Sequence, residues 1–219
     1  MTTDDEVSLP IGAVRLAGHL TIPERVRGVV IFAHGSGSSR HSPRNRHVAD
    51  PLNHARFGTL LFDLLTSTEE QDRANVFDIP MLGERLTEVS QWVRSEIGPT
   101  SKVGYFGAST GAGAALWAAG SPGDDIAAVV SRGGRPDLAA DRLPLVKAPT
   151  LLIVGSRDPK VETLNREAQS RLRAESRLEI VPGATHLFEE PGALDEVARL
   201  AREWFVEHME ESPDEEEGI

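Results

Sequence analysis

The chain of 219 residues contains no cysteine. This absence excludes disulfide bonds, a thiolate nucleophile and cysteine-ligated metal sites, and it fits a reducing compartment. No apolar run approaches the roughly 20 residues that a membrane-spanning helix needs. The first residues also lack the basic and apolar segments of a signal peptide. We therefore expect a cytoplasmic protein without a membrane partner.

Basic residues are in the minority, since 23 Lys and Arg against 34 Asp and Glu give a formal net charge of −11. Nucleic-acid binding depends on cations that neutralise phosphates, so this excess of acid argues against a nucleic-acid partner. Part of the negative charge lies in residues 2–6 and 210–217, which lack a folding pattern and are expected to fray. We predict one domain over residues 1–209 and a disordered acidic tail over residues 210–219.

Apolar runs alternate with amphipathic segments along most of the chain. Runs typical of buried strands occur at residues 28–33, 58–63, 103–106, 126–130, 149–154 and 178–181. Helical patterns occupy residues 42–55, 79–97, 161–174 and 193–208, and residues 7–22 are typical of a hairpin. This order predicts an α/β fold, with a mostly parallel sheet and helices on both of its faces. Residues 131–148 are too few for a helical cap, so we expect no large cap domain.

The residues Gly107-Ala108-Ser109-Thr110-Gly111 form a G-x-S-x-G pattern between a predicted strand and a predicted helix. In such an elbow the turn holds the serine hydroxyl above the edge of a sheet. Small residues on both sides of Ser109 allow the strand and the helix to pack closely. The pattern alone is weak, so its interpretation depends on whether the chain also supplies an acid and a base.

A serine nucleophile needs a histidine base oriented by a carboxylate, and in this topology the chain order is Ser, acid, His. Asp158 and His186 follow Ser109 in that order, each in the loop after a predicted strand. A helix N-cap is the alternative role for Asp158, and a loop histidine near an interface is the alternative for His186. Asp137 and Asp141 are weaker candidates for the acid because they follow the preceding strand.

Two backbone amides are expected to stabilise the oxyanion of the tetrahedral intermediate. One is the amide of Thr110, directly after the nucleophile. The second is expected from the loop His34-Gly35-Ser36-Gly37-Ser38-Ser39, where position favours Ser36, with Gly37 as runner-up and as a substrate contact. We expect His34 to brace this loop.

The segments VVIFAHGSGSS, GASTG, LLIVGSRD and GATHLFEEPG together resemble the dienelactone hydrolase-like group of the α/β-hydrolase superfamily. The similarity covers residues 12–206. It implies the α/β-hydrolase fold, with Ser109 as nucleophile, Asp158 as acid and His186 as base. Dienelactone hydrolases carry cysteine as the nucleophile, so Ser109 favours ordinary esterase chemistry. Relatives of this type also occur fused to phosphoribosyltransferase domains.

A basic cluster follows the oxyanion loop in this otherwise acidic chain. It consists of Arg40, His41, Arg44, Arg46 and His47. One interpretation is a solvent-exposed first helical turn. The other is an anion-binding patch at the mouth of the site, joined by Arg132 and Arg135 from a neighbouring strand end. A structural ion pair of Arg132 with Asp63, or with another acid at the same edge of the sheet, is an equally good alternative to substrate binding.

The sequence therefore predicts a serine hydrolase that cleaves small carboxylic esters, including anionic ones, through an acyl-enzyme. A lactonase, thioesterase or acyl-peptide hydrolase would use the same residues. A binding module with a silent site is the hypothesis from a different class. The histidines are scattered and lack metal-ligand spacing on a helix, so we expect no metal and no cofactor. A homodimer is compatible with the sequence.

Overall fold

The computed structural model describes residues 2–123 and 125–209, so the predicted tail at 210–219 lies outside the described residues. The strands are β1 (Thr3–Ile11), β2 (Val14–Ile22), β3 (Gly28–Ala33), β4 (Phe57–Phe62), β5 (Val103–Ala108), β6 (Ala128–Arg132), β7 (Thr150–Gly155) and β8 (Ser176–Val181). The α-helices are α1 (Pro43–His54), α2 (Arg73–Val76), α3 (Ile79–Ile97), α4 (Thr110–Ala119), α5 (Pro159–Arg171) and α6 (Ala193–Met209). Short 3₁₀ turns occur at Glu69–Gln71, Pro136–Ala139 and Leu143–Leu145.

One sheet of eight strands, in the order β1-β2-β4-β3-β5-β6-β7-β8, forms the centre of the fold. Strand β2 pairs antiparallel with β1 on one side and with β4 on the other, and all the other pairs are parallel. The chain moves outward from β3 to β4 and then returns to β5 on the other side of β3. Ligands bind at such a reversal, outside the carboxyl ends of the strands. The structure confirms the predicted mostly parallel α/β fold.

Two apolar layers cover the sheet, one on each face. Side chains of α3, α4 and α5 pack on one face, and side chains of α1 and α6 pack on the other. The strands β3 to β7 are buried along their whole length, which explains their continuous apolar runs. Of the described helices, none combines the length and the apolar character that crossing a membrane requires.

The acidic residues near the N-terminus do not fray as expected. They form the first half of β1, in which Thr3 pairs with Ile22. The carboxylate of Asp4 accepts hydrogen bonds from His19 Nε2 and Thr21 Oγ1, both at 2.7 Å. These bonds lower the pKa of Asp4, with the bond from Thr21 as the largest cause. The partners lie 15 and 17 residues away, so the local charge pattern gave no sign of the pairing.

A buried ion pair fixes the polar segment between β4 and α3. Arg85 of α3 is 8% exposed, and its Nη2 and Nη1 donate to Glu69 Oε1 at 2.5 Å and Oε2 at 3.0 Å. Arg85 Nη1 also donates to the carbonyl of Leu64, and the amide of Thr66 donates to Glu69. The hydrogen bonds from Arg85 lower the pKa of Glu69 to about 2, although burial acts in the opposite direction.

Replacing Glu69 should therefore cost stability in a pH-dependent manner. The pKa of Glu69 is lower in the folded chain, so its contribution is present above the unfolded value of 4.5 and is lost as the pH falls toward 2. At pH 7 we expect Glu69→Gln to lower the free energy of unfolding by about 2 kcal/mol, and this difference should shrink at pH 3. Urea unfolding at pH 7, 5 and 3 measures it. The exposed Glu70→Gln is the control, and a pH-independent difference would contradict the expectation.

Candidate active site

The predicted elbow joins β5 to α4 with Ser109 at its apex. Ser109 has φ 50° and ψ −120°, a left-handed conformation that is rare for a residue with a side chain. A Cβ atom at Gly107 would lie 2.4 Å from Ala112 Cα, and one at Gly111 would lie 2.2 Å from the carbonyl oxygen of Ala33. Both contacts are too short for any side chain. The glycines thus let α4 pack against β5 and β3, and this packing holds Ser109 in its strained turn.

The predicted acid and base contact each other. His186 Nδ1 donates to Asp158 Oδ2 at 2.7 Å, because an ionised carboxylate can only accept a hydrogen bond. Asp158 lies at the N-terminus of α5, but its side chain makes no capping hydrogen bond there. Its carboxylate therefore orients His186 and leaves Nε2 of the imidazole for other partners.

The end of β6 connects Ser109 with His186. The amide of Ser109 donates to the carbonyl of Arg132 at 3.2 Å. The next residue, Gly133, has φ +51°, and a Cβ atom there would lie 3.4 Å from Nδ1 of His186. Ser109 and His186 thus flank the same two residues at the carboxyl edge of the sheet. A side chain at Gly133 would press on the imidazole.

Several contacts hold the loop that carries His186. The amide of Arg157 donates to the carbonyl of Ala184, and the amide of Thr185 donates to Glu190 Oε2. Hydrogen bonding from Thr185 lowers the pKa of Glu190 from its ordinary value. Phe188 is 1% exposed, adopts φ 55° and packs into the layer formed by α1 and α6. These contacts fix the backbone that carries the imidazole of His186.

The loop at residues 34–39, the predicted oxyanion loop, contacts the start of α4. The amide of Ser36 donates to Thr110 Oγ1 at 2.9 Å. His34 braces the loop, because its Nδ1 bonds the carbonyl of Gly35 and its Nε2 accepts from the amide of Leu64. Gly37 has φ +71°, which suits glycine. Ser36, Gly37 and Thr110, all predicted site residues, therefore lie close together where this loop meets the start of α4.

A cavity of about 580 Å³ opens beside this loop. Residues 34–39 and the first turn of α1 line one side of it, and the apolar side chains of Leu64, Leu65, Val76 and Leu82 line the other. Thr110, the residue after Ser109, also contributes to the wall. The cavity thus has one polar and one apolar wall, and Thr110 places it next to the predicted nucleophile.

Comparison with known proteins agrees with this architecture. Residues 28–145 match the model of the alpha/beta hydrolase fold family. The chain belongs to this family. The crystal structure of a dienelactone hydrolase from Anabaena variabilis is 52% identical, with a TM-score of 0.89 over 95% of this chain and 99% of that one. The predicted membership and the dienelactone hydrolase-like resemblance are confirmed.

Two other proteins resemble the chain, one in sequence over half of its own length and one in fold. A protein of Mycobacterium tuberculosis H37Rv, provisionally named a phosphoribosyl transferase, is 60% identical over 207 residues. These residues are 94% of this chain but 47% of that protein, so the chain spans about half the length of this relative. XC6422 from Xanthomonas campestris, an α/β serine hydrolase without lid, is 20% identical with a TM-score of 0.78 over 97% of this chain and 98% of that one. At this identity it shows the shared fold alone.

The arginines near the site of this α/β hydrolase differ in whether a carboxylate pairs with them. Arg40 Nη1 contacts Asp63 Oδ2 at 2.5 Å, and Arg40 Nε contacts Glu6. Arg135 pairs with Asp137, and the hydrogen bonds from Asp137 raise the pKa of Arg135. Both guanidinium groups are therefore engaged with carboxylates of the chain. The alternative pairing of Asp63 with Arg132 does not occur, and the predicted role of Arg40 in substrate binding stays a prediction.

Arg132 is 8% exposed, and its Nη1 has no hydrogen-bond partner among residues 2–123 and 125–209. Burial lowers the pKa of Arg132 to about 10, and the charge of Arg44 adds to this effect. Arg44 Nη1 donates to Glu189 at 3.3 Å, while its buried Nε finds no partner among the same residues. The two side chains thus form a cationic pair with unused donors close to the strand end that binds Ser109.

Sequence reasoning missed one buried polar residue that shapes the site. Asn165 of α5 is fully buried, and its Nδ2 donates to the carbonyl of Gly134 at 3.0 Å. It fixes the loop after β6, which lies against Ser109 and His186. The only signal in the sequence is the side-chain amide of Asn165 among the apolar positions of a helix. From the sequence alone, this position does not show which group the amide binds.

A group of potential metal ligands lies at the opposite edge of the sheet. Carboxylate and imidazole atoms of Glu175, Glu207 and His208 come within 4.8 Å of one another. Glu175 precedes β8, whereas the loop with His186 follows it. Both glutamates are exposed, so this group is separate from the candidate active site and we assign it no function.

The hydrogen bond between His186 and Asp158 predicts a sharp response to Asp158→Asn. Asparagine keeps the shape but cannot stabilise a protonated imidazole and favours the wrong tautomer, so reactivity of Ser109 should fall by about 10⁴-fold. The rate of labelling by a fluorophosphonate measures it. Asp195→Asn is a matched control, because Asp195 forms an exposed pair with His47 at the same 2.7 Å. Equal labelling rates of the two variants would refute the role of Asp158.

Proposed function

We propose that the protein is a serine hydrolase that cleaves small carboxylic esters through an acyl-enzyme intermediate. The observation that carries the proposal is the 2.7 Å hydrogen bond from His186 to Asp158, next to a strained serine at a nucleophile elbow. Membership of the α/β hydrolase family supports it. The substrate would enter the cavity beside the oxyanion loop.

The mechanism follows from the roles of these side chains. Nε2 of His186 takes the proton of Ser109 Oγ as the oxygen attacks the ester carbonyl, and Asp158 stabilises the resulting imidazolium. The tetrahedral oxyanion lies at the N-terminus of α4, where the amide of Thr110 and the positive end of the helix dipole favour negative charge. His186 then protonates the departing alcohol. Water, deprotonated by the same imidazole, releases the carboxylic acid and restores Ser109.

Lactone hydrolysis is the second candidate, favoured by the 52% identical relative that is named a dienelactone hydrolase. A lactone is a cyclic ester and would use the same steps, as would a thioester or an acyl-peptide. The cysteine nucleophile expected for dienelactone hydrolases is replaced here by Ser109, which favours ordinary esters. A panel of one ester, one thioester and one lactone of equal acyl length separates these reactions.

The transferase name of the Mycobacterium tuberculosis relatives has a limited bearing on this chain. The matched segment is 47% of each of those proteins. The elbow, the acid and the base all lie within the chain described here, so we attribute hydrolase chemistry to this segment alone. A silent binding module would not react with a fluorophosphonate, and labelling of the wild-type protein at Ser109 tests that hypothesis directly.

The acyl-enzyme predicts burst kinetics with p-nitrophenyl acetate. Wild-type protein should release about one equivalent of p-nitrophenolate rapidly and then turn over more slowly. Ser109→Ala removes the nucleophile, so the burst should vanish and kcat should fall by about 10⁶-fold. The exposed Ser170→Ala is the matched control. Full activity of Ser109→Ala would refute the proposal.

An anionic substrate group would account for the charges next to the site. A buried charge without a partner destabilises a protein, and Arg132 has no carboxylate partner among the described residues. Arg44 lies close enough to lower its pKa further. We assign both side chains to a carboxylate or phosphate on the ester substrate. Arg40, which is paired with Asp63 and Glu6, is left out of this assignment.

This assignment predicts opposite effects of Arg132→Met on stability and on activity. Removing an uncompensated buried cation should leave the melting temperature unchanged or raise it. The same change should lower kcat/KM for an anionic ester, such as 4-acetoxybenzoate, by about 10 to 100-fold, because hydrogen bonds to charged groups are strong. Phenyl acetate should be affected little. Arg44→Gln should show a smaller selective loss, and the exposed Arg46→Gln should show none. Equal losses on both esters would overturn the assignment.

A further inference from the structure

The second oxyanion donor predicted from the sequence already has a partner. The sequence predicts that the amide of Ser36 points at the oxyanion, but this amide donates to Thr110 Oγ1 at 2.9 Å. A backbone amide has a single proton, so an oxyanion would have to compete with the hydroxyl for it. The contact joins residues 74 apart in the chain and therefore belongs to the tertiary structure.

The hydroxyl of Thr110 retains a proton of its own. A hydroxyl that accepts one hydrogen bond can still donate another. No residue of the described parts of the chain accepts a hydrogen bond from Thr110 Oγ1. In the interior of a helix, a threonine hydroxyl commonly donates to a carbonyl of the preceding turn. Thr110 is the first residue of α4, so no preceding helical turn is present. Its proton is free for a ligand.

Thr110 is well placed for such a ligand. It directly follows Ser109, is 5% exposed and lines the cavity beside the oxyanion loop. Its backbone amide is also one of those that lack an acceptor within the helix. One residue therefore presents an N–H and an O–H next to the nucleophile, in a shielded position where hydrogen bonds are strong.

We infer that Thr110 is a catalytic residue that supplies two donors to the oxyanion, its backbone amide and its side-chain hydroxyl. The amide of Ser36 acts through the hydroxyl, because a hydroxyl that accepts a hydrogen bond becomes a better donor. The proton stays on Oγ1 throughout, so the hydroxyl stabilises charge and transfers none. This inference rests on the proposed serine hydrolase function.

Valine tests the hydroxyl because it keeps the branched shape of threonine. Thr110→Val should lower the acylation rate constant for p-nitrophenyl acetate by about 10²-fold, the usual effect of losing one oxyanion donor, with little change in substrate affinity. Thr110→Ser keeps the hydroxyl and should stay within a few-fold of wild type. Thr110→Ala is expected to lower the rate constant as Thr110→Val does. It takes the place of Thr110→Val in the test if the valine variant fails to fold. Thr163→Val, at an exposed helical threonine, is the control for the exchange itself.

A second measurement separates catalysis from structure. A trifluoromethyl ketone forms a tetrahedral adduct with an oxyanion, so Thr110→Val should weaken its binding by about the same factor as the acylation rate. The melting temperature should change little. An acylation rate in Thr110→Val equal to or above that of wild type would overturn the inference. It would mean that the hydroxyl only accepts the hydrogen bond of the Ser36 amide and keeps this amide from the oxyanion. Failure of the proposed function would instead appear in the wild type, as a missing burst or as full activity of Ser109→Ala.

Discussion

The close approach of three backbone segments is the constraint on which the site depends. At Gly111 a side chain would collide with the carbonyl of Ala33, and at Gly107 it would collide with the backbone of Ala112. Without these side chains, α4 starts directly against the ends of β3 and β5. The same packing imposes the strained turn on Ser109 and brings the loop after β3 into hydrogen-bonding distance of the helix start.

The arginines around the site differ in whether a carboxylate of the chain pairs with them. The guanidinium groups of Arg40 and Arg135 pair with carboxylates of the chain, and Arg85 forms an ion pair with Glu69. Arg132 is buried without such a partner among the described residues. A buried charge without a partner lowers stability, and no described carboxylate offsets this cost at Arg132.

Much of the fold was predictable because its signals are local. Buried parallel strands appear as continuous apolar runs, and the elbow is a pattern of five neighbouring residues. The contact between Asp158 and His186 was predictable because parallel strands bring their carboxyl ends to one edge. The N-terminal half of β1 was mispredicted, since its stability comes from His19 and Thr21 on the neighbouring strand. The role of Asn165 was missed for the same reason, because its partner Gly134 lies on another element.

The sequence by itself determined the order of the elements, the α/β architecture and the positions of Ser109, Asp158 and His186 at strand ends. These follow from periodicity and chain order, which are properties of neighbouring residues. Only the tertiary structure decided which polar groups are paired. Asp63 binds Arg40, Arg132 has no carboxylate partner in residues 2–123 and 125–209, and the amide of Ser36 donates to the hydroxyl of Thr110. Such choices depend on distances of a few ångströms between strands that are remote in the chain, and no local pattern encodes those distances.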